Sequence, residues 1–414
     1  MRQTNFQSKR INTFFNVILS GTLISLIAAL IYYVYAFAAL SAGDHSFDWL
    51  LGAFSDFVYI MNVSLGESPY VAADSSYPPF AIIILYPFAL ICKNVFAKYA
   101  GLELSVDELT SRLTLHAEFW IALALFVVIC SAATVYALTK LFKIPRKFLL
   151  KLGFITLFSA PFIFTVMRGN TIYFALIFTL LFLALKESER ASVREIGYLC
   201  LVFAGLIKIY PLFFGVFLLC KKKIWASVRI AAYSLILFFA SFWIFRGTED
   251  LMPFLQNLGG FASSDTRLSS HNNLSLSSLL NKLLDLFQID TQNTYIQICI
   301  ITILFTLFIT SAIAAIIAKS DFSRYVIVTS AIILIPPISY FYVLVFAILP
   351  FLQFLLDCES IKGARKSFYL FAFLFLFLMP TMVMQNYIIH CILAIAMLIT
   401  ELTGVFKSQR IAPS

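Results

Sequence analysis

This sequence predicts an all-α, polytopic membrane protein, and three observations lead there. It is 61% hydrophobic and only 12% charged, whereas soluble domains carry about 25% charged residues. Mean hydropathy is +0.92, and no polar stretch is long enough to fold separately, so one integral membrane domain over 1–414 is expected. The Lys and Arg residues sit in short clusters between apolar runs, the pattern of cytoplasmic loops. The net charge of +9 is therefore read as a membrane signature, and nucleic acid is not expected as a partner.

The chain begins with Arg2, Lys9 and Arg10 ahead of an apolar run from Phe14 to Leu40. At about 27 residues it exceeds the roughly 7–15 of a secretory signal and can cross about 30 Å of hydrocarbon as a tilted helix. It reads as a retained first transmembrane helix that delivers residue 41 outside. From Ser41 to Cys92 there is no Lys or Arg, while Asp44, Asp48, Asp56, Glu67 and Asp74 are acidic. Residues 41–79 are thus expected to form a first outer loop.

Apolar segments follow at Phe80–Ala97, Ala117–Thr139, Leu152–Met167, Thr171–Leu185, Ile196–Leu219 and Ser227–Phe245. A second large outer loop, 246–294, precedes Tyr295–Ala318, Tyr325–Ile338, Tyr340–Leu356, Phe368–Met384 and Tyr387–Val405. Basic clusters at 140–151, 186–194, 221–229, 319–324, 362–366 and 407–410 mark cytoplasmic turns. The sum is about 11–13 segments of a multi-pass cell (inner) membrane protein with both termini cytoplasmic.

Two segments strain simple alternation. Phe80–Ala97, interrupted by Pro87, leaves an even number of crossings between residue 79 and Lys140. It reads as re-entrant, unless the 140–151 cluster is an exception to the rule. Ile196–Leu219 has basic clusters at both ends, and Pro211 removes a helix hydrogen bond near its centre. Two half-helices meeting at Lys208 are expected there.

The seven cysteines are widely spaced without a C-x-x-C pair, and the four histidines are scattered. Neither pattern points to a metal, and no cofactor is expected. On a helical wheel, Asp48, Gly52, Ser55, Asp56, Tyr59 and Asn62 share one arc. Trp49, Phe54, Phe57, Ile60 and Met61 lie in the opposite one. This predicts an outer juxtamembrane amphipathic helix whose polar face carries Asp56. Its role is either chemical or simply to rest on the bilayer. Tyr77-Pro78-Pro79 imposes an extended approach to the next segment.

Arg168-Gly169-Asn170 lies between two apolar segments, and Lys208 lies within one. Such charges cost about 2.5–3.5 kcal/mol at the bilayer centre, so each is expected to have a partner or a task unless it snorkels to a lipid phosphate. The stretch 263–273, with Asp265, Arg267, His271, Asn272 and Asn273, either holds sugar hydroxyls or is an ordinary solvated loop. Pro336-Pro337-Ile338-Ser339-Tyr340-Phe341-Tyr342 reads as a hairpin turn or a cavity wall.

In combination these motifs resemble glycosyltransferase family 87, related to the polyprenyl-phosphate-mannose-dependent mannosyltransferases of the GT-C superfamily. The resemblance rests on Asp56, Tyr70 and Tyr77-Pro78-Pro79, on Gly205-Leu206-Ile207-Lys208-Ile209-Tyr210-Pro211, and on the Arg168-Gly169-Asn170 and Pro337-x-Ser339-Tyr340 turns. Two departures stand out: Gln is missing from the Gly169 turn, and Tyr340 and Tyr342 stand where the family often has Trp and His.

The resemblance implies a GT-C-like bundle performing inverting transfer of a sugar, such as mannose, another hexose or arabinofuranose. The donor would be a polyprenyl-phosphate sugar, and the acceptor a glycolipid, glycan or other envelope molecule within reach of membrane lipid. It implies Asp56 as catalytic base, with Lys208, Arg168, Arg267 and His271 as donor-phosphate ligands. Asp48, Tyr59, Tyr77, Asn170, Tyr210, Asn272 and Tyr342 would contact substrate. The competing expectation is a transporter or a lipid-linked-glycan flippase or polymerase, since broken helices and intramembrane cations also serve transport.

Overall fold

The computed structural model describes residues 9–41, 53–262, 273–291, 293–378 and 386–410. Among these residues there are nineteen α-helices and no strand, with an isolated bridge pairing Asn273 and Tyr340. The polytopic all-α fold expected from composition is the one observed.

Among the described residues, four helices are long and apolar enough to cross a membrane: α6 (Ala117–Phe142), α12 (Ile224–Phe242), α15 (Thr294–Ile317) and the Tyr387–Gln409 portion of α19 (Asn386–Arg410). A fifth span results if α7 (Leu149–Phe158) and α8 (Ala160–Arg168), bent by 55°, count as one. Several of the other apolar segments are shortened or broken by prolines and extended residues. Between α7 and α8, Ser159 is extended and Pro161 opens the new helix, because its ring cannot fit a helix interior.

The shorter helices form three hairpins with a common plan. The first rises through α7 and α8, turns at Arg168-Gly169-Asn170 and descends through α9 (Ile172–Leu185). In the second, α10 (Ala191–Ile207) ends where Lys208 adopts an extended backbone, and the chain returns through a 3-10 limb, Tyr210–Gly215, and α11 (Val216–Leu219). The return is tight: a Cβ on Gly205 would lie 2.5 Å from Leu212 Cγ. The third comprises α16 (Asp321–Leu334), the Pro336-Pro337 turn, a 3-10 limb at Phe341–Ala347 and α17 (Ile348–Asp357).

Contacts across the hairpin bases tie the basic clusters to one end of the bundle. Lys223 Nζ reaches Glu187 at 2.8 Å, Cys220 Sγ donates to the Ala315 carbonyl, and Gln409 donates to that of Ile317. At the same end Arg365, in α18 (Gly363–Leu378), grips the buried Glu401 of α19, which also accepts from Tyr369 Oη at 2.5 Å. Helix α1 (Lys9–Ser41) starts there too, where Lys151 bonds Asn16.

Helices α9, α10 and α16 have 14, 17 and 14 residues. At 1.5 Å per residue they reach about 21–26 Å, short of a hydrocarbon core of about 30 Å.

The opposite end is closed by α2 (Ser55–Ser64) and its neighbours. Phe57, Ile60 and Met61 of α2 are fully buried. Phe57 meets Phe119 and Phe126 of α6 and Phe88 of α4 (Tyr86–Tyr99). The apolar arc of the amphipathic run thus packs on protein, where the bland expectation put it on lipid. Short α3 (Pro79–Ile83) leads into α4, which runs back along α6 until Tyr99 Oη meets His116 Nε2 at 3.0 Å. The segment enters and leaves at the α2 end, so α6 alone separates this end from the basic cluster at 140–151.

Candidate active site

Three hairpin apices and the N-terminus of α2 converge on one carboxylate. Asp56 Oδ1 accepts from Arg168 Nη2 at 2.6 Å, and Oδ2 accepts from Arg168 Nε at 3.3 Å and Asn170 Nδ2 at 2.8 Å. Charge-assisted bidentate pairs of this kind are short and directional. The Asp56 side chain is 14% exposed and that of Arg168 35%, so the guanidinium forms the open side of the pair.

Local backbone geometry builds this contact. Helix α8 ends in a Schellman motif: Gly169 N–H bonds the Val166 carbonyl and Asn170 N–H bonds that of Thr165, with Gly169 left-handed at φ +61°. Asn170 is fully buried, and its Oδ1 accepts from Ile172 N–H at 3.0 Å. Its amide nitrogen is thereby aimed at Asp56. On the other side Phe54, just before α2, is also left-handed at φ +65°, and its N–H bonds the Met167 carbonyl. A bulky residue there is strained, and the strain is borne where it joins α2 to α8.

Gly169 has a second constraint. A Cβ at this position would overlap Phe57 Cβ and lie 2.9 Å from Phe57 Cγ. Gly169→Ala is expected to push α2 off the turn and lower transfer about 100-fold, since a displacement of about 1 Å is enough. Activity measured beside an unchanged far-ultraviolet helical signal checks this.

Lys208 stands at the second apex with its Nζ 4.5 Å from the Tyr77 ring centroid and 5.7 Å from that of Tyr342. Such cation–π contacts hold a cation without neutralising it. The carboxylate that acts electrostatically on Lys208 is Asp56. Tyr342 is in turn within electrostatic range of Tyr77, Tyr210, Asp56 and Tyr340. Tyr210 Oη is buried without a hydrogen-bond partner among the described residues, an unusual state for a hydroxyl unless a ligand or water satisfies it.

The structure therefore brings together Asp56, Tyr77, Arg168, Asn170, Lys208, Tyr210 and Tyr342. Tyr59 supports the group from behind: its hydroxyl donates to the Ala73 carbonyl at 2.9 Å and its ring lies 6.1 Å from that of Tyr77. Asp48, Arg267, His271 and Asn272 lie outside the described residues.

Tyr340, in the stretch read as a hairpin turn or cavity wall, does line a wall, its ring meeting that of Tyr342 at 5.7 Å. The clamp that holds that wall carries no local sequence signal. Asn273, 1% exposed, accepts on Oδ1 from Ser275 N–H and Ser339 N–H and donates to the Pro337 carbonyl. Ser275 and Ser277 hydroxyls donate to the same carbonyl at 2.8 and 3.1 Å. The side chain of Asn273 is thus committed to backbone, although sugar hydroxyls were a possible partner for this stretch. Asn273→Ala is expected to cost about 1–3 kcal/mol through unmet buried groups and to raise donor KM through a loosened Tyr340–Tyr342 wall. Thermal unfolding and donor titration check the two effects.

A half-buried acid, two cations and aromatic rings thus meet near hairpin apices of an all-α membrane bundle, the candidate active site. The sequence profile described as Glycosyltransferase family 87 matches residues 76–337, more than half of the chain. The chain belongs to that family and is a membrane glycosyltransferase. The matched span contains Tyr77, Arg168, Asn170, Lys208 and Tyr210; Asp56 precedes it and Tyr342 follows it. No curated protein and no solved structure matches the chain.

Proposed function

We propose that this protein moves a sugar from a polyprenyl-phosphate donor to an envelope acceptor by single displacement, at a site facing the outside of the cell membrane. The observation that carries the reading is the placement of Asp56 beside Arg168 and Asn170, at 2.6 and 2.8 Å, with Lys208 in the same electrostatic neighbourhood. In the transfer, the acceptor hydroxyl gives its proton to Asp56 as its oxygen bonds the anomeric carbon. The bond from that carbon to the donor phosphate breaks, and the electron pair leaves with the phosphate. Lys208 and Arg168 stabilise the charge that gathers there. Tyr210, Tyr77 and Tyr342 supply hydroxyls and ring faces for the sugar.

A lipid-tailed donor needs an apolar berth beside such a site. A cavity of about 450 Å³ is lined by Leu276, Leu334, Ile395, Ile399 and Leu402, together with Thr302, Thr306 and Thr310. The hydroxyls of Thr302 and Thr306 donate to carbonyls one turn back in α15, which removes much of their polarity from the lining. The cavity shares no residue with the Asp56 group. Its upper rim, Leu276 and Leu334, adjoins the clamp around Pro337, and it descends toward the basic end. We assign it to the polyprenyl tail.

The test is a panel of synthetic polyprenyl-phosphate sugars and nucleotide sugars offered to the purified protein in vesicles with envelope lipid extract. Product and free polyprenyl phosphate formed from a lipid donor support the reading. Direct use of a nucleotide sugar, or no release of polyprenyl phosphate from any donor, contradicts it.

A further inference from the structure

We infer that the Arg168–Asp56 ion pair is an exchangeable latch: the donor phosphate takes Arg168 away from Asp56, and the carboxylate is released to act as base only when donor is in place. The inference rests on the proposed polyprenyl-phosphate donor and adds an order of events to it.

Three observations carry it. First, both oxygens of Asp56 are already engaged, Oδ1 by Arg168 Nη2 and Oδ2 by Arg168 Nε and Asn170 Nδ2. Three N–H donors fill three of the roughly four lone-pair directions of this carboxylate, so an arriving hydroxyl competes with Arg168 for the Oδ1 side. Second, the partners differ in freedom. Asn170 is fully buried and tied through Oδ1 to Ile172 N–H, whereas the Arg168 side chain is 35% exposed at the end of α8. Arg168 is therefore the donor to Asp56 that faces the open side. Third, a guanidinium binds carboxylate and phosphate through the same fork of donors, so the exchange replaces one bidentate contact with another. Lys208 lies on the same side, over Tyr77 and Tyr342, and adds attraction for the incoming phosphate.

The consequence is ordered binding. An acceptor hydroxyl or a stray water that arrives first meets a carboxylate occupied by Arg168. With donor bound, Arg168 sits on the phosphate, and Asp56 is held by Asn170 with one oxygen open toward the anomeric carbon. The device links leaving-group stabilisation to base release.

The test measures binding of undecaprenyl phosphate, with neutral undecaprenol as control, to the full chain in lipid nanodiscs. The latch taxes phosphate binding, because Arg168 must first be freed. Asp56→Asn is expected to bind undecaprenyl phosphate about tenfold more tightly than the wild type, within the usual range of coupling between two ligands of one group. The gain must disappear in the Arg168→Gln background, so that the double variant binds no better than Arg168→Gln alone. Asp56→Ala provides a second removal of the carboxylate if Asp56→Asn does not purify.

Equal gain with and without Arg168 would reduce the effect to plain loss of a negative charge and overturn the latch. Unchanged or weaker binding by Asp56→Asn would do the same, leaving Arg168 a permanent partner of Asp56. Both results are distinct from failure of the donor reading. That failure would appear as no preference of the wild type for undecaprenyl phosphate over undecaprenol, and it would overturn the latch as well.

Discussion

Asp56→Asn is expected to lower sugar transfer by about 10²–10⁴-fold, the range for removing a positioned proton acceptor, while the chain still inserts and purifies. The substitution keeps the shape of the side chain and an oxygen able to accept from Arg168. It removes the charge and the site for the acceptor's proton. Arg168 loses the charge of Asp56, but as the partly exposed partner it can reach water or lipid phosphate. Asp56→Leu separates chemistry from architecture: it also deletes the bonds to Arg168 and Asn170, and leaving the fully buried Asn170 amide unmet costs about 1–3 kcal/mol. Loss of activity with normal thermal stability is expected for the Asn variant, and loss of both for Leu. Full activity in a well-expressed Asp56→Asn protein would remove Asp56 from the chemistry.

Lys208→Gln is expected to be the second most damaging change, with kcat falling about 10²–10³-fold, as for other donors aimed at developing charge. Its position is unusually committed. The extended backbone that ends α10 places it at an apex, and the rings of Tyr77 and Tyr342 flank its ammonium. Gln can still donate a hydrogen bond but cannot neutralise a leaving phosphate, so the loss should fall on kcat more than on donor KM. Lys208→Arg should recover part of the rate, since charge is retained in a slot shaped for an ammonium. Single-turnover rates with saturating donor distinguish the two parameters.

Much of the site was legible because its ingredients have local signatures. The helical wheel put Asp56 on a polar arc, and in the structure Asp56 and Tyr59 are half-buried while Phe57 and Ile60 are fully buried. Lys208 was marked by Pro211 and by basic clusters at both ends of one apolar run, since a chain that returns to its starting side must turn in between. Arg168 stood out as a cation in a turn without acidic neighbours. What sequence could not supply was its partner, because Asp56 lies 112 residues away and no spacing rule links them.

The remaining gaps are backbone facts. Left-handed Phe54 contradicts local preference and exists because tertiary contacts outweigh it. The need for Gly169 follows from the approach of Phe57 as much as from its own φ. Asn273 looked like one polar residue among many, and its role depends on meeting Pro337 and Ser339 across 64 and 66 residues. Hydropathy registers an apolar run without showing where it turns, and several of these runs are limbs of hairpins.

The central claim is that Asp56 acts as base in a one-step displacement on a polyprenyl-phosphate sugar. The most direct measurement is the anomeric configuration of the product, determined by nuclear magnetic resonance from a donor of defined configuration. The account predicts inversion in the wild type, with one polyprenyl phosphate released per sugar transferred and both lost in Asp56→Asn. Retention of configuration would require a covalent glycosyl intermediate and would contradict it.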